Sequence, residues 1–124
     1  METLTATTIE ELNDRTPSKA CRLLDFDGVE VRPGFVSGTW ILIVQGKAPC
    51  GNMHIDLIPL VYASRPDYWE IEVVGCLRGP MCLPRRPFIE SLALEGMLGS
   101  AGIEVVGATR RRRIDVPPAT GTTV

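Results

Sequence analysis

The sequence predicts an all-β protein, an antiparallel β-sandwich of about seven strands preceded by a short helical or flexible N-terminal leader. Its apolar residues come in short runs rich in Val, Ile, Trp and Tyr, residue types that favour strands. Clusters of turn-forming residues separate these runs about every 8–12 residues, and no long helical pattern is available to connect parallel strands. We divide the chain into a polar leader (1–20), a single sandwich domain (21–116) and a flexible tail (117–124).

Composition excludes several classes of function. The 124 residues suffice for one hydrophobic core, and the net charge of −2 gives no general attraction to nucleic acid or to an anionic membrane. No apolar run approaches the ~20 residues of a spanning helix. The acidic N-terminus does not resemble a signal peptide. We therefore expect a cytoplasmic protein with reduced cysteines and with neither nucleic-acid nor membrane partners.

The first part of the chain contains two local signals. Thr8 and Glu11 fit a capping box, so one helical turn is as plausible in the leader as a flexible chain. Farther along, the runs CRLLDF and VEVRPGF flank Asp27-Gly28, a strong signal for a two-residue hairpin turn. We expect these two runs to pair with each other.

The segment LLDFDGV, Leu23 to Val29, resembles the first motif of the haloacid dehalogenase superfamily, an apolar strand that runs into D-x-D-G. The resemblance covers seven residues and implies a nucleophilic Asp25, a general acid/base Asp27 and a magnesium ion between them. A helix follows the motif in that family, whereas VEVRPGF follows here, and the paired acidic motif is missing downstream. We favour the hairpin interpretation and expect neither a cofactor nor a metal.

The run TWILIVQ is apolar on both faces of a strand. Trp40, Leu42 and Val44 share one face, and Ile41 and Ile43 share the other. A strand of this kind is normally covered on both sides.

The next two runs, MHIDLIPLVY and YWEIEVVGC, alternate apolar and polar residues. We favour a four-residue loop, Ser64 to Asp67, which places Ile58 opposite Val73; a five-residue loop would shift the pairing by one residue. The runs FIESLALEG and IEVVGATRRRRIDV complete the strands, and IEVVG occurs in both the fifth and the last run, as expected for strands with equivalent buried positions. The predicted core consists of Leu23, Trp40, Leu42, Val44, Ile55, Leu57, Trp69, Ile71, Val73, Leu92, Ile103 and Val105.

His54 is the only histidine, so any histidine-based proton transfer must use it. Asp56 follows two residues later, on the same face of a regular strand and ~7 Å along it, so these two residues are the candidate catalytic pair. Cys76 or Cys82 could act with them as a thiolate. The spacings of the four cysteines do not match common zinc motifs, and no metal site is expected.

Strand direction predicts where a binding site would lie. If successive strands alternate in direction, the Asp25–Gly28 turn and the Gly46–Asn52 and Arg78–Pro87 loops meet at one end of the sandwich. Guanidinium groups bind carboxylates and phosphates with two hydrogen bonds, so this end would suit an anionic small molecule. The candidate ligand-binding residues there are Lys47, Cys50, Arg78, Cys82, Arg85 and Arg86.

Two functions are compatible with these features. The first is a non-catalytic binding or assembly module that forms a homo-oligomer through apolar strand faces. The alternative is a small lyase, isomerase or hydrolase that acts on an anionic small molecule at the loop end carrying Cys50, His54, Arg78 and Cys82. The arginine run 110–113 alternates between the faces of a strand and forms no broad basic surface, which is typical of a protected edge strand.

Overall fold

A computed structural model describes residues 21–117. These residues form eight strands and no helix, and the strands make two sheets that share one core, which confirms the predicted all-β sandwich. The predicted leader and all but the first residue of the predicted tail lie outside the described residues. The strands are, in chain order, β1 (Cys21–Leu23), β2 (Gly28–Pro33), β3 (Trp40–Ala48), β4 (Met53–Pro59), β5 (Tyr68–Leu77), β6 (Arg86–Ala93), β7 (Gly102–Val106) and β8 (Arg111–Asp115).

The eight strands divide between a five-stranded sheet, which we call sheet 1, and a three-stranded sheet, which we call sheet 2. Sheet 2 has the order β2-β3-β6, and every pairing in it is antiparallel. In sheet 1, β4 pairs along one edge of β5, while β7 and β1 share the other edge. β7 pairs with the first half of β5, β1 with the second half, and β8 pairs with β7.

One pairing corrects the expectation of a purely antiparallel sandwich: β5 and β7 are parallel. The strand between them in the chain, β6, belongs to sheet 2. The chain therefore leaves sheet 1 after β5, returns along sheet 2, and re-enters sheet 1 in its original direction. Strict alternation of direction makes two such strands parallel when they become neighbours.

Most of the predicted core is buried between the sheets. Leu42, Val44, Ile71, Val73, Ile103 and Val105 are fully buried, and Ile55 and Leu57 are nearly so. Trp40, Trp69 and Leu92 are partly buried and pack against this cluster. The indole Nε1 of Trp40 is buried without a hydrogen-bond partner among the described residues.

The prediction for Leu23 was wrong, because Leu24 and Phe26 enter the core instead, each with 3% of its surface exposed. Leu24 fills the space above Gly75, where an added Cβ would lie 2.5 Å from Leu24 Cδ1. Leu23 pairs with Val74, on the opposite face of the sheet from Gly75.

The predicted hairpin at Asp27-Gly28 is also wrong. β1 pairs with β5 in sheet 1, whereas β2 pairs with β3 in sheet 2. The backbone N–H of Leu24 donates to Val73 in one sheet, and that of Asp27 donates to Gln45 in the other. The segment crosses between the two sheets, and the burial of Leu24 and Phe26 in the core that the sheets share stabilises this path more than a local turn would.

The register of β4 and β5 differs from the prediction by one residue. Leu57, and not Ile58, lies opposite Val73, as the rejected five-residue loop would place it. Both residues then point inward and are buried. Ile58 lies opposite Glu72 on the outer face and keeps 43% of its surface exposed.

Candidate functional site

The β3–β4 and β5–β6 loops meet at one end of the sandwich, as the alternation of strand direction predicted. A disulfide joins Cys50 to Cys82, whose Cα atoms are 4.9 Å apart. A second disulfide joins Cys21 to Cys76. The expectation of reduced cysteines is therefore wrong, since all four are bridged and none of them can act as a free thiolate here. Pairing across strands and loops that are distant in sequence brought these sulfurs within bonding distance.

Asn52 holds the two loops together independently of the disulfide. Its Nδ2 donates to the carbonyl oxygens of Arg78 (2.5 Å) and Met81 (2.7 Å), and its Oδ1 accepts from the N–H of Leu83 (3.1 Å). The backbone N–H of Gly51 also donates to Leu83. These bonds replace the regular pairing that the prolines of the β5–β6 loop exclude.

The basic residues predicted to bind an anion are exposed, but they do not form one convergent group. Lys47 lies opposite Pro87 and Ala48 opposite Arg86 in the β3–β6 register, so Lys47 and Arg86 occupy opposite faces of sheet 2. Arg78 and Arg85 belong to the β5–β6 loop, where both are exposed. The structure thus brings Cys50, Arg78, Cys82 and Arg85 to the same pair of loops and sets Lys47 apart on a sheet face.

The Asp25–Gly28 segment does not join this loop end. Gly28 pairs with Gln45, three residues before the end of β3, and Leu24 bonds to Val73, four residues before the end of β5. The Asp25–Gly28 segment therefore lies beside the strands. The prediction failed because strict alternation of direction makes β1 and β5 parallel, whereas the structure pairs them antiparallel.

Asp25 fastens the turn between β7 and β8. Its carboxylate accepts hydrogen bonds from the hydroxyl (2.5 Å) and the N–H (2.7 Å) of Thr109 and from the N–H of Arg110 (3.2 Å). The Thr109 hydroxyl, the Thr109 N–H and the neighbouring Arg110 lower the pKa of Asp25 below its usual value. Three hydrogen bonds to its own chain give Asp25 a structural role.

His54 and Asp56 lie on the outer face of sheet 1, as predicted, and interact directly. His54 Nε2 is 3.2 Å from Asp56 Oδ2, and about half of each side chain is exposed. His54 is the register partner of Cys76, which in turn is the register partner of Cys21. His54, Cys76 and Cys21 therefore form one row across three adjacent strands, which we call the disulfide row.

A second group on the outer face of sheet 1 is held by ion pairs. Glu104, only 7% exposed, lies 3.2 Å from Arg111 Nη1 and 3.4 Å from Arg113 Nε. Arg111 also lies 3.6 Å from Glu70. Arg111 Nη1 donates a hydrogen bond to the Glu104 carboxylate, and this bond raises the pKa of Arg111. This network uses two of the four consecutive arginines to solvate one buried carboxylate.

The outer face of sheet 2 carries an apolar patch that no other strand covers within residues 21–117. Ile41 and Ile43 of β3 lie there, beside Ile89 of β6, which is 65% exposed. A shallow cavity of about 400 Å³ lies over Ile43 and Ile89 and is bordered by Glu30 and Arg32. A second cleft of about 190 Å³ continues the surface past Ile41 to the β2–β3 turn. The apolar patch consists of Phe35, Val36, Ile41, Ile43, Ile89 and Ala93.

In the described part of the chain, no three His, Cys, Asp or Glu side chains are arranged to hold a metal ion. The same residues contain no helix long and apolar enough to cross a bilayer. Comparison with protein-family models, with curated proteins and with solved structures gives no match.

Sequence analysis missed Asn52 and both disulfides. A glycine followed by asparagine marked a turn, but the three acceptors and donors that Asn52 meets lie 26 to 31 residues away. The even number of cysteines was the one available signal for disulfide bonds.

Proposed function

We propose that this chain is a small assembly module that forms a homo-oligomer by packing the apolar patch of one copy against that of another. The supporting observation is that Ile41 and Ile43, on the central strand of sheet 2, point away from the core. Ile43 and the exposed Ile89 line one cavity on this face, which also has Glu30, Arg32 and Gln45 in its lining. In a two-layer sandwich the outer face of a sheet is normally polar. Phe35, fully exposed at the β2–β3 turn, extends the same patch.

The charges at the border of the patch suit a two-fold pairing. Glu30 and Arg32 are neighbours on the edge strand β2 and pair with each other within one copy. A two-fold axis through the centre of the sheet lets Glu30 of one copy meet Arg32 of the next. Strands β2, β3 and β6 together present a flat area of about 14 Å by 26 Å, which is less than half of the ~800 Å² per partner of standard specific interfaces. The expected oligomer is therefore weak and depends on protein concentration.

Sedimentation velocity over a range of concentrations tests this proposal. The parent chain should associate at tens of micromolar, and Ile43→Glu and Ile89→Glu should remain monomeric, because each puts a charge into the buried patch. Ile58→Glu is the matched control: it changes an exposed isoleucine on sheet 1 and should associate like the parent. A parent chain that is monomeric throughout, or equal association by all variants, would remove the proposal.

A second candidate is the small enzyme acting on an anionic small molecule. It is supported by the contact between His54 Nε2 and Asp56 Oδ2, which orients an imidazole on an open surface. Parent and His54→Ala chains, each incubated with a mixture of carboxylated and phosphorylated small molecules, should then differ in the products seen by mass spectrometry. Identical mixtures after both incubations would exclude this candidate.

The compartment is part of the proposal. A cytoplasmic location stays a prediction, and two disulfides favour a less reducing compartment, since cytosolic thiol systems keep most cysteines reduced. Alkylation of free thiols at the moment of cell lysis, followed by mass measurement, distinguishes the cytoplasm from an oxidising compartment. Full labelling of four cysteines would favour the cytoplasm, and absence of labelling would favour an oxidising compartment.

A further inference from the structure

The disulfide row combines a disulfide with a proton donor on one open surface. Cys21 and Cys76 are register partners on β1 and β5, and both are partly exposed on the outer face of sheet 1. His54 is the register partner of Cys76 from the other side, on β4. Opposed residues on one face of a sheet have Cβ atoms about 4.5–5.5 Å apart, so the imidazole lies within reach of the Cys76 sulfur.

We propose that the Cys21–Cys76 disulfide is a site of thiol–disulfide exchange with a small-molecule thiol. The external thiolate attacks the sulfur of Cys21, and Cys76 leaves next to His54, which protonates it. This activity is independent of the assembly function, because the disulfide row and the apolar patch lie on different sheets.

The exchange balances in two steps. The thiolate forms a bond to Cys21 Sγ as the Cys21–Cys76 bond breaks, and the electron pair leaves on Cys76 Sγ. His54 transfers a proton to that thiolate. A second small-molecule thiolate then attacks the mixed disulfide on Cys21, which releases the oxidised small molecule and leaves Cys21 as a thiolate. Two electrons pass from the small-molecule thiols to the protein.

Asp56 positions the proton donor. The carboxylate oxygen Oδ2 lies 3.2 Å from His54 Nε2, which fixes that side of the ring toward Asp56. Nδ1 makes no hydrogen bond within the described residues and remains available for the Cys76 sulfur.

The fold tolerates the opening of this disulfide. The next residues of the chain stay fixed without it: Leu24 and Phe26 are buried, and Asp25 accepts three hydrogen bonds from the β7–β8 turn. Reduction therefore leaves the β1–β5 pairing and the crossing to sheet 2 in place, so the exchange can be reversed.

The second disulfide is an internal reference for this chemistry. Cys50–Cys82 has no histidine beside it, because the only histidine is His54. Its Cys50 is 6% exposed, and Asn52 holds the two loops in contact when the bond opens. Without assistance from a histidine, an external thiol should react no faster with the Cys21–Cys76 bond than with the Cys50–Cys82 bond, because Cys82 lies exposed at the surface.

The test measures both disulfides in one sample. The oxidised full-length chain is treated with reduced glutathione at neutral pH, quenched with N-ethylmaleimide at intervals, and digested with trypsin and Glu-C. The digest separates Cys76, in residues 73–78 (71–78 in the Glu72→Ala chain, which lacks that Glu-C site), from Cys82, in residues 79–85. The parent, His54→Ala and, as a control on the same sheet face, Glu72→Ala are compared after circular dichroism shows that all three are folded.

We expect maleimide on Cys76 before Cys82, and the glutathione adduct on Cys21 with none on Cys76. His54→Ala should slow labelling of Cys76 several-fold without changing that of Cys82, and Glu72→Ala should behave like the parent. Labelling of Cys82 first, adducts on Cys76, or equal rates in parent and His54→Ala would each overturn the proposal. If His54→Ala does not fold, the order of labelling and the adduct position in the parent still decide it.

Discussion

At the level of single residues, the two tryptophans differ in what their indole N–H groups meet. Trp69 Nε1 donates to the carbonyl oxygen of Leu60 at 2.9 Å, whereas Trp40 Nε1 is buried without a partner in the described residues. A buried donor without an acceptor costs about 1–3 kcal/mol. The same substitution at the two positions therefore has different consequences.

Replacing Trp40 with Phe removes the unpaired donor along with part of the ring. We expect Trp40→Phe to destabilise the chain by at least about 1 kcal/mol less than Trp69→Phe, which also breaks a hydrogen bond. Urea unfolding followed by circular dichroism measures both free energies of unfolding. Equal losses for the two variants would show that the Trp40 indole has a partner after all.

Asp25 makes the stability of the chain depend on pH in a predictable direction. Its hydrogen bonds to Thr109 and Arg110 lower its pKa in the folded state, so they stabilise the fold above the unfolded pKa of about 3.9. This contribution is lost as the pH falls through the lowered folded pKa. We expect Asp25→Asn to lower the free energy of unfolding by roughly 1 kcal/mol at neutral pH, and the difference from the parent to shrink near pH 2.

The neighbouring carboxylate provides the control for that experiment. Asp27 is exposed; its backbone N–H donates to Gln45, and its carboxylate makes no hydrogen bond within residues 21–117. Asp27→Asn should leave the curve of stability against pH close to that of the parent. A similar loss for both variants would mean that the effect comes from net charge and not from the Thr109 contacts.

At the level of strands and loops, Asn52 and the Cys50–Cys82 disulfide hold the β5–β6 loop in two independent ways. This loop contains trypsin sites after Arg78 and Arg85. We expect Asn52→Ala to increase the rate of trypsin cleavage at both sites, since three hydrogen bonds to the loop are lost. The double variant Cys50→Ser with Cys82→Ser should be cleaved faster still, because closing a 32-residue loop contributes up to about 4 kcal/mol.

Limited proteolysis with mass spectrometry reads this out directly. Ser64→Ala, in the loop between β4 and β5, serves as a control and should be cleaved after Arg78 and Arg85 at the rate of the parent. Cleavage rates unchanged by Asn52→Ala would show that the disulfide alone holds the loop.

The sequence predicted the strands well and their pairing less well. Alternation along β3, β4 and β5 is a local property, and it identified the buried residues Leu42, Leu57 and Val73. The register between β4 and β5 depends on one residue of loop length, which local patterns do not determine. The prediction of a turn at Asp27-Gly28 failed for a related reason. The burial of Leu24 and Phe26 in the core between the sheets outweighed a favourable local turn.

The repeated IEVVG shows the same limit in another form. Both copies form neighbouring strands and bury the equivalent apolar positions Ile71, Val73, Ile103 and Val105, as predicted. Their glutamates differ, because only Glu104 lies beside the two arginines of β8. Identical local sequence cannot predict that difference, which arises from the partner strand.

At the level of the whole molecule, the two outer faces of the sandwich differ in chemistry. Sheet 1 carries the disulfide row and the ion pairs of Glu104, whereas sheet 2 carries the apolar patch. A dimer formed through sheet 2 therefore leaves both copies of the disulfide row facing solvent, on opposite sides of the assembly.

The two disulfides also determine how the chain responds to mechanical force. Cys21, the first described residue, is bonded to Cys76 at a sequence separation of 55, so a pull on the two termini passes through this bond and bypasses the chain between them. At ~3.5 Å per extended residue, the bond withholds about 190 Å of chain from stretching. In an optical trap, the oxidised chain should unfold with a contour length shorter by that amount than the chain in which both disulfides are reduced. Equal lengths before and after reduction would contradict the pairing of Cys21 with Cys76. The Cys21–Cys76 bond thus determines how much of the chain can extend under force.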